Sequence, residues 1–299
     1  MGVTASGKSA LALEMARRLG DVEIVSVDSM QVYRGMDVGT AKPSPDERRE
    51  IRHHLIDLVD PDEEYTVSRF QRDVSAALAD IDDRGRRALL VGGTGLYLRA
   101  AVDDLEIPGR YPDVRAELEA EPDTGRLHAR LHELDPTAAQ RMEPSNRRRI
   151  VRALEVTLGS GRAFSSYGPG LSSYPDTPVR LARGAPLPCR DRRAHPRPLP
   201  RQLAAGFVAE VRALALRPAG LSPTARQALG YRELLAHHEE GVPLDDAVDE
   251  AVTRTRRFAA VDRSAGFSAG PPVIPAGTTS RAIRWPFSTI SLRDWSSCT

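Results

Sequence analysis

The residues best suited to chemistry lie at the amino terminus, where Gly2 to Ser9 read GVTASGKS and a helical pattern follows at once. This spacing matches G-x-x-x-x-G-K-[ST], in which glycines let backbone N–H groups turn inward around a phosphate. Lys8 can reach terminal phosphoryl oxygens, and the Ser9 hydroxyl can ligate Mg²⁺ at the positive end of the helix. The pattern predicts a loop that binds a di- or triphosphate, formed by Gly2, Val3, Thr4, Ala5, Ser6, Gly7, Lys8 and Ser9.

A second polar group follows the apolar run from Val22 to Val27. Asp28 begins the segment DSMQVYRGMDVGTAKP, which ends at Pro43 and is called the 28–43 segment below. Ligands of parallel α/β sheets bind beyond the carboxyl ends of the strands, where a carboxylate can take a proton or hold an amine. Considered without its neighbours, Asp28 is better interpreted as a residue that caps a loop.

The first hundred residues alternate short β-branched runs with longer helical patterns, which is typical of βαβ units. We predict buried strands at Val22 to Val27, His54 to Val59 and Arg87 to Val91. Between the last two strands, apolar residues recur every three or four positions from Val67 to Ile81, the pattern of a helix packed on a sheet. The predicted fold class is α/β, a P-loop NTPase-like parallel sheet with flanking helices.

The strand signal disappears from about Asp103 to Gly161, where charged helical turns alternate with prolines, so a small helical insertion domain is predicted. A last strand is predicted at Pro178 to Leu181. Helical periodicity then returns in three stretches, Gln202 to Leu216, Pro223 to Glu240 and Leu244 to Phe258. The predicted domains are the core at 1–102 and 162–258, the insertion at 103–161, and an irregular, disordered tail at 259–299.

The composition limits the classes of partner. The 299 residues include 42 basic and 41 acidic side chains, a net charge of +1, so strong RNA contact requires a local basic patch. Only two of the basic residues, Lys8 and Lys42, are lysines. Two cysteines cannot build a disulfide framework, and no apolar run approaches the ~20 residues of a membrane span. We expect a soluble, cytoplasmic, monomeric protein with no membrane partner.

Together with the phosphate loop, five segments resemble the tRNA dimethylallyltransferase family in their order and spacing. They are the 28–43 segment, HHLIDLVDP at 53–61, GGTGLYLRA at 92–100, NRRRIVRALEV at 146–156 and QALGYREL at 227–234. The resemblance covers residues 2–181 and 202–258. It implies transfer of a dimethylallyl group from dimethylallyl diphosphate to the exocyclic amine of the adenosine 3′ of the anticodon in tRNA, with release of diphosphate.

The resemblance also implies roles for single residues. Asp28 orients the amine and accepts its proton, and Thr94 lies near the reacting nitrogen, a role compatible with that of helix N-cap. Lys8 and the rest of the phosphate loop hold the diphosphate, and Mg²⁺ at Ser9 spreads the developing charge.

An adenosine stacked in an anticodon loop has to be extruded to react, and the resemblance makes Ser29, Met30 and Gln31 candidates for contacting the extruded base. Arg147, Arg148, Arg149 and Arg152 place four cations within little more than one helical turn. Such a run is ordinarily a solvated face, but its match to a tRNA-contacting helix favours phosphate binding. Arg115 is a weaker candidate of the same kind.

Two segments depart from the family pattern. Residues 182–201 contain five Pro and six Arg, which excludes a helix or a central strand, and a diphosphate-directed arginine of the family falls near Pro198. The tail after residue 258 has no periodicity. We predict that both segments are out-of-frame translations of a GC-rich gene and that they lower turnover. We also expect an amino-terminal truncation, because a phosphate loop normally follows a central strand and here only Met1 precedes it.

Three alternatives remain open at this point. The same phosphate-loop core could belong to an ATP-dependent kinase of nucleotides or small molecules, although the helical insertion argues against a kinase. A prenyltransferase acting on free AMP would share most motifs. A degraded paralogue that binds RNA with little activity is the non-enzymatic alternative.

Overall fold

A computed structural model of the chain describes residues 8–103, 105–168 and 198–264. The described residues form two compact units, one made of residues 8–98 and 198–264, the other of residues 99–103 and 105–168. Gly2 to Gly7 of the phosphate loop, the strand predicted at Pro178 to Leu181 and most of both non-family segments lie outside the described residues.

The described residues of the first unit form a three-stranded parallel sheet in the order β2–β1–β3, which confirms the α/β fold class. All six residues of β1 are buried, whereas those of β3 are half-buried because β3 is an edge of the described sheet. The elements of this part of the chain are α1 (Lys8–Leu19), β1 (Val22–Val27), α2 (Pro45–Glu50), β2 (His53–His54), α3 (Val67–Asp83), β3 (Arg87–Gly92) and α4 (Gly95–Val102).

The second strand is much shorter than predicted, since β2 ends at His54 rather than at Val59. Leu55 and Asp57 adopt positive φ angles of 63° and 56°, and left-handed residues cannot continue a strand. Parallel pairing resumes at a single bridge between Tyr33 and Val59. The interruption turns the side chain of Asp57 toward the 28–43 segment, where it becomes part of the site described below.

Helix α1 begins at the end of the sheet where the parallel strands terminate. It buries Ala12, Leu13 and Ala16 against Val22 and Ile24 of β1. Gly20, with φ of 72°, reverses the chain between the two elements. Because 12 helical residues span ~18 Å and six strand residues ~20 Å, the amino-terminal turn of α1 lies at the carboxyl end of β1.

Gly92 lets β1 and β3 run side by side to their last residues. It pairs with Val27, and a Cβ at position 92 would lie 1.9 Å from the Val27 carbonyl oxygen. No other residue type fits there without separating the strands. The close approach makes the two segments that follow, from Asp28 and from Thr94, emerge next to each other.

The second unit is helical in its described residues. Its core consists of apolar side chains from four helices, among them Leu118, Leu131, Ala138 and Leu154. The elements are α5 (Pro112–Ala120), α6 (Thr124–Leu134), α7 (Pro136–Gln140), α8 (Arg147–Ser160) and a 3₁₀ turn (Phe164–Tyr167). The burial of Asp135 would by itself raise its pKa, but hydrogen bonds from Ser165 and from the Ala138 amide lower it.

Five helices complete the described part of the first unit, and their bounds correct four expectations. They are α9 (Pro198–Ala204), α10 (Phe207–Ala215), α11 (Pro223–Arg226), α12 (Tyr231–Glu240) and α13 (Leu244–Ser264). Residues 198–201 are helical, contrary to expectation. Proline is tolerated in the first turn of a helix because the N–H groups there have no intrahelical acceptor, so the missing N–H of proline costs no hydrogen bond. The helix predicted from Gln202 is interrupted at Gly206, whose φ is 96°. The helix predicted from Pro223 is interrupted before Gly230, whose φ is 83°. The last helix continues six residues past Phe258, into the predicted tail.

None of the helices in the described ranges is both long and apolar enough to cross a lipid bilayer.

Replacing Gly92 tests the close approach of β1 and β3. We expect Gly92→Ala to lower the free energy of unfolding by about 3 kcal/mol, the upper range for overpacking, because the added methyl meets backbone. Gly85→Ala is the control, since its Cβ meets open space and only its φ of 63° costs about 1–2 kcal/mol. Urea unfolding measures both, and equal losses would contradict the expectation.

Candidate active site

Asp28 lies directly after β1 and organises the turn that follows it. Its Oδ1 accepts hydrogen bonds from the amides of Met30 at 2.8 Å and Gln31 at 3.4 Å. Its Oδ2 accepts no hydrogen bond from the described residues. One oxygen therefore caps the turn, which is the structural role that the sequence around Asp28 predicts. The other oxygen is available to a substrate.

Thr94 meets the Asp28 turn from the neighbouring strand. Its hydroxyl oxygen accepts a hydrogen bond of 3.4 Å from the Ser29 amide, and its carbonyl accepts one of 3.0 Å from Leu98 in α4. Thr94 thus occupies the N-cap position of α4 while its side chain points at the turn after β1. The structure brings Thr94 to the turn that contains Asp28 and Ser29, although Thr94 lies 65 residues after Ser29 in the sequence.

An aromatic cluster lies behind this turn. Tyr97 is buried and stacks on Phe70, with ring centroids 4.3 Å apart, and Tyr65 lies tilted against it at 6.5 Å. Burial raises the pKa of Tyr97, and the ionised forms of Tyr33 and Asp28 raise it further. Tyr97 belongs to α4, so this cluster packs against the helix that follows Thr94.

The side chain of Gln31 connects β1 to the distal part of the 28–43 segment. Its Oε1 accepts from the Ser26 hydroxyl at 2.8 Å, and its Nε2 donates to the carbonyls of Thr40 at 3.1 Å and Ala41 at 3.4 Å. Both ends of the carboxamide are therefore held. Met30 and Ser29, the other two predicted base-contacting residues, are half-buried beside it.

Lys42 holds the 28–43 segment in place, a role that the sequence did not reveal. Its ammonium donates to the Tyr33 carbonyl at 2.5 Å, to Asp37 at 2.8 Å and to Asp57 at 2.6 Å, and its side chain is 1% exposed. Arg48 donates to the other oxygen of Asp57. The burial of Asp57 would raise its pKa, but the hydrogen bonds from Lys42 and Arg48 lower it.

Lys8 and Ser9 form the first turn of α1, at the end of the sheet that carries Asp28. Ser9 is exposed, and Lys8 is half-buried with a partner of its own. Both are placed where the phosphate-loop pattern requires them, at a helix amino terminus beyond the ends of the strands. The remaining residues of that pattern, Gly2 to Gly7, lie outside the described part of the chain.

The arginines predicted to contact RNA divide into two groups in the second unit. Arg147 donates to the carbonyls of Glu119, Glu121 and Pro122, and Arg152 to those of Pro108 and Gly109. Arg115 and Arg152 both also pair with the buried Glu155. Arg148 and Arg149 are exposed, and their own side chains form no ion pair or hydrogen bond with the described residues.

The ion pairs of Asp57 with Lys42 and Arg48 predict how the free energy of unfolding changes as pH falls. The folded-state pKa of Asp57 lies below that of the unfolded chain, so its contribution is complete above the unfolded value of about 3.9 and is lost as pH falls through the folded value. Asp57→Asn keeps a residue type that tolerates the φ of 56°. We expect this substitution to lower the free energy of unfolding at pH 7 by about 1–3 kcal/mol. The difference from the wild type should shrink as pH falls below about 4.

Denaturant unfolding of the two proteins across this pH range measures the difference. Asp46→Asn is the control, because Asp46 is an exposed carboxylate of α2 that does not contact Lys42. A gap between wild type and Asp57→Asn that stayed constant down to pH 3 would contradict the linkage.

The chain is similar to known proteins along most of its length. Residues 31–261 match the model of the IPP transferase family. The chain is 45% identical over 265 residues to a tRNA dimethylallyltransferase of Geobacter metallireducens, covering 86% of this chain and 85% of that protein. It is 46% identical over 262 residues to one of Streptomyces coelicolor, covering 87% and 83%.

Solved structures show the same relationship. The tRNA isopentenylpyrophosphate transferase of Bacillus halodurans matches with a TM-score of 0.58 and 33% identity, over 88% of this chain and 84% of that one. A eukaryotic dimethylallyltransferase acting on tRNA matches with a TM-score of 0.69 and 26% identity, over 88% and 67%. The chain belongs to the IPP transferase family.

Proposed function

We propose that this protein transfers a dimethylallyl group from dimethylallyl diphosphate to the exocyclic amine of the adenosine 3′ of the anticodon in tRNA. The observation that carries the proposal is identity of about 45% with tRNA dimethylallyltransferases along most of the chain. The meeting of Asp28 and Thr94 at the ends of β1 and β3 supports the residue roles.

In the proposed reaction, the amine nitrogen forms a bond to the first carbon of the dimethylallyl group while the bond from that carbon to the diphosphate oxygen breaks. Diphosphate leaves with the bonding electrons, and the amine loses a proton. Oδ2 of Asp28 accepts this proton, since Oδ1 is occupied by backbone amides. The Thr94 hydroxyl, already accepting from Ser29, can donate its own hydrogen toward the same position.

Lys8 and Ser9 bind the diphosphate end of the donor. The exposed Ser9 hydroxyl is a hard oxygen ligand of the kind that Mg²⁺ takes together with phosphate oxygens, so the first turn of α1 fits the ion. When bound, Mg²⁺ neutralises negative charge that develops on the leaving diphosphate. Lys8 supplies a compact positive charge for the same group.

Ser29, Met30 and Gln31 contact the extruded adenine. Gln31 is held through both ends of its carboxamide, and both N–H groups have acceptors, so it can offer the remaining lone pair of Oε1 only along a fixed direction. Such an arrangement favours one base edge over others. The exposed Arg148 and Arg149 contact tRNA phosphates, whereas Arg147, Arg152 and Arg115 hold the helices that carry them.

The direct test is incubation of the purified protein with labelled dimethylallyl diphosphate and, separately, unmodified tRNA, AMP or buffer, with a parallel reaction that contains labelled ATP. Enzyme in excess over tRNA allows a slow enzyme to label its substrate. Label in tRNA at the adenosine 3′ of the anticodon is the expected result. Label in AMP, or phosphoryl transfer from ATP to an acceptor, would replace the proposal with one of the two enzymatic alternatives.

Substitution of Asp28 separates its catalytic role from its role in the turn. Asp28→Asn keeps an Oδ1 that accepts the Met30 amide but removes the base, so we expect single-turnover transfer to fall by about 10²–10⁴-fold. The thermal midpoint should stay close to that of the wild type. A rate within a factor of about three of the wild type would exclude Asp28 as the base.

Substitutions in the two groups of arginines should have different effects, one on tRNA binding and the other on thermal stability. If Arg148 and Arg149 each contact a phosphate, the double alanine variant should lower the slope of log Kd against log salt by about 1.5. Arg147→Ala should instead lower thermal stability, because it leaves the carbonyls of Glu119, Glu121 and Pro122 without this donor. Filter binding with unmodified tRNA and thermal unfolding distinguish them, and an unchanged salt slope would contradict the assignment.

A further inference from the structure

Glu210 of α10 reaches across the first unit to the backbone of the 28–43 segment. Its Oε2 accepts from the amides of Asp37 at 2.9 Å and Val38 at 2.7 Å, and its Oε1 accepts from the Gly39 amide at 3.2 Å. The Tyr231 hydroxyl of α12 donates to Oε1 at 2.6 Å. Three successive amides and a phenol thus converge on one carboxylate, the arrangement of a backbone anion site.

The same residues are held by other groups of the carboxyl-terminal helices. Gln202 of α9 donates to the carbonyls of Val38 and Gly39, each at 3.0 Å. A Cβ on Gly39 would lie 2.2 Å from the Phe207 ring and 2.4 Å from that of Tyr231, so the backbone here is pressed against aromatic side chains. Residues 37–39 are therefore fixed on both edges by α9, α10 and α12.

This backbone leads directly to the atoms that orient Gln31. Gln31 Nε2 donates to the carbonyl of Thr40, the residue after Gly39, and to that of Ala41. Displacement of residues 37–39 consequently moves the acceptors that aim the Gln31 carboxamide. Lys42 fixes the segment from its other side, through Tyr33 and Asp37.

We infer that Glu210 is a positioning residue for adenosine recognition: its carboxylate holds the amides of residues 37–39 and thereby sets the direction of Gln31. The inference rests on the proposed function. Glu210 acts through the backbone amides that it binds.

A carboxylate suits this position better than a neutral side chain. Four donors point at two oxygens, and only a carboxylate presents acceptor lone pairs to all of them. In a glutamine, the amide NH₂ would face at least one N–H or O–H donor. Burial raises the pKa of Tyr231, and the negative charge of Glu210 raises it further, so the phenol stays protonated and donates.

The test compares Glu210→Ala, Glu210→Gln and Tyr231→Phe in single-turnover prenylation of unmodified tRNA. We expect Glu210→Ala to slow transfer by about tenfold to a hundredfold, the loss expected from a misplaced substrate contact. The Kd for tRNA should change by less than about threefold, since phosphate contacts dominate affinity. Glu210→Gln should also be slowed, and Tyr231→Phe, which removes one of four donors, should be slowed least.

Chemical rescue gives a readout that loss of stability cannot imitate. Sodium formate can occupy the backbone anion site left by Glu210→Ala, so we expect it to restore part of the lost rate relative to sodium chloride at equal ionic strength. Formate should not restore the rate of Glu210→Gln, whose side chain fills the site. Glu250→Ala, which alters an exposed glutamate of α13, is the matched control.

The outcomes separate the two claims. Wild-type protein that labels no tRNA refutes the proposed function itself. Active wild type with an unchanged rate in Glu210→Ala, or a rate loss that formate leaves unrestored while the thermal midpoint falls, refutes the positioning role. If Glu210→Ala does not fold, a wild-type rate in Glu210→Gln overturns the inference.

Discussion

The buried ammonium of Lys42 is the interaction on which the arrangement of the site depends. Three oxygens converge on one nitrogen, two from the 28–43 segment, the Tyr33 carbonyl and the Asp37 carboxylate, and one from the carboxylate of Asp57. A charge that is 1% exposed is stable only when its donors are all used, and here three acceptors meet three N–H groups. Apart from Lys8 and Lys42, the 40 basic residues of the chain are arginines. The planar guanidinium of arginine does not match three acceptors that converge on one point.

The geometry of the parallel strands explains why the proposed catalytic residues lie together at one edge of the sheet. Gly92 allows β3 to pair with β1 as far as Val27, so Asp28 and Thr94 leave the sheet side by side. The Ser29 amide joins the two turns through the Thr94 hydroxyl. Each turn alone has an ordinary structural role, as a loop cap and as a helix N-cap. The proposed catalytic arrangement exists only because the two strands end together.

The carboxyl-terminal helices belong to the same unit as the sheet, and they act on the site through backbone contacts. Glu210, Gln202 and Tyr231 bind or cover residues 37–39, while Lys42 holds the neighbouring residues from within the segment. The 28–43 segment has little regular secondary structure of its own. Its conformation is therefore determined by side chains from distant elements, which satisfy amides and carbonyls that a strand or helix would have paired internally.

The sequence by itself determined the α/β class, the bounds of β1 and the residues that carry the family resemblance, because hydrophobic period and short motifs are local properties. It did not determine where β2 ends, since no local pattern marks the positive φ of Leu55 and Asp57, and the partner of Asp57 is the distant Lys42. Nor did it distinguish Arg148 and Arg149 from Arg147 and Arg152, which differ only in what lies beside them. Glu210 contacts amides 171–173 residues earlier in the chain, and no local pattern encodes such a partner. Only the tertiary structure decides which donors and acceptors meet, because that depends on how separate elements pack.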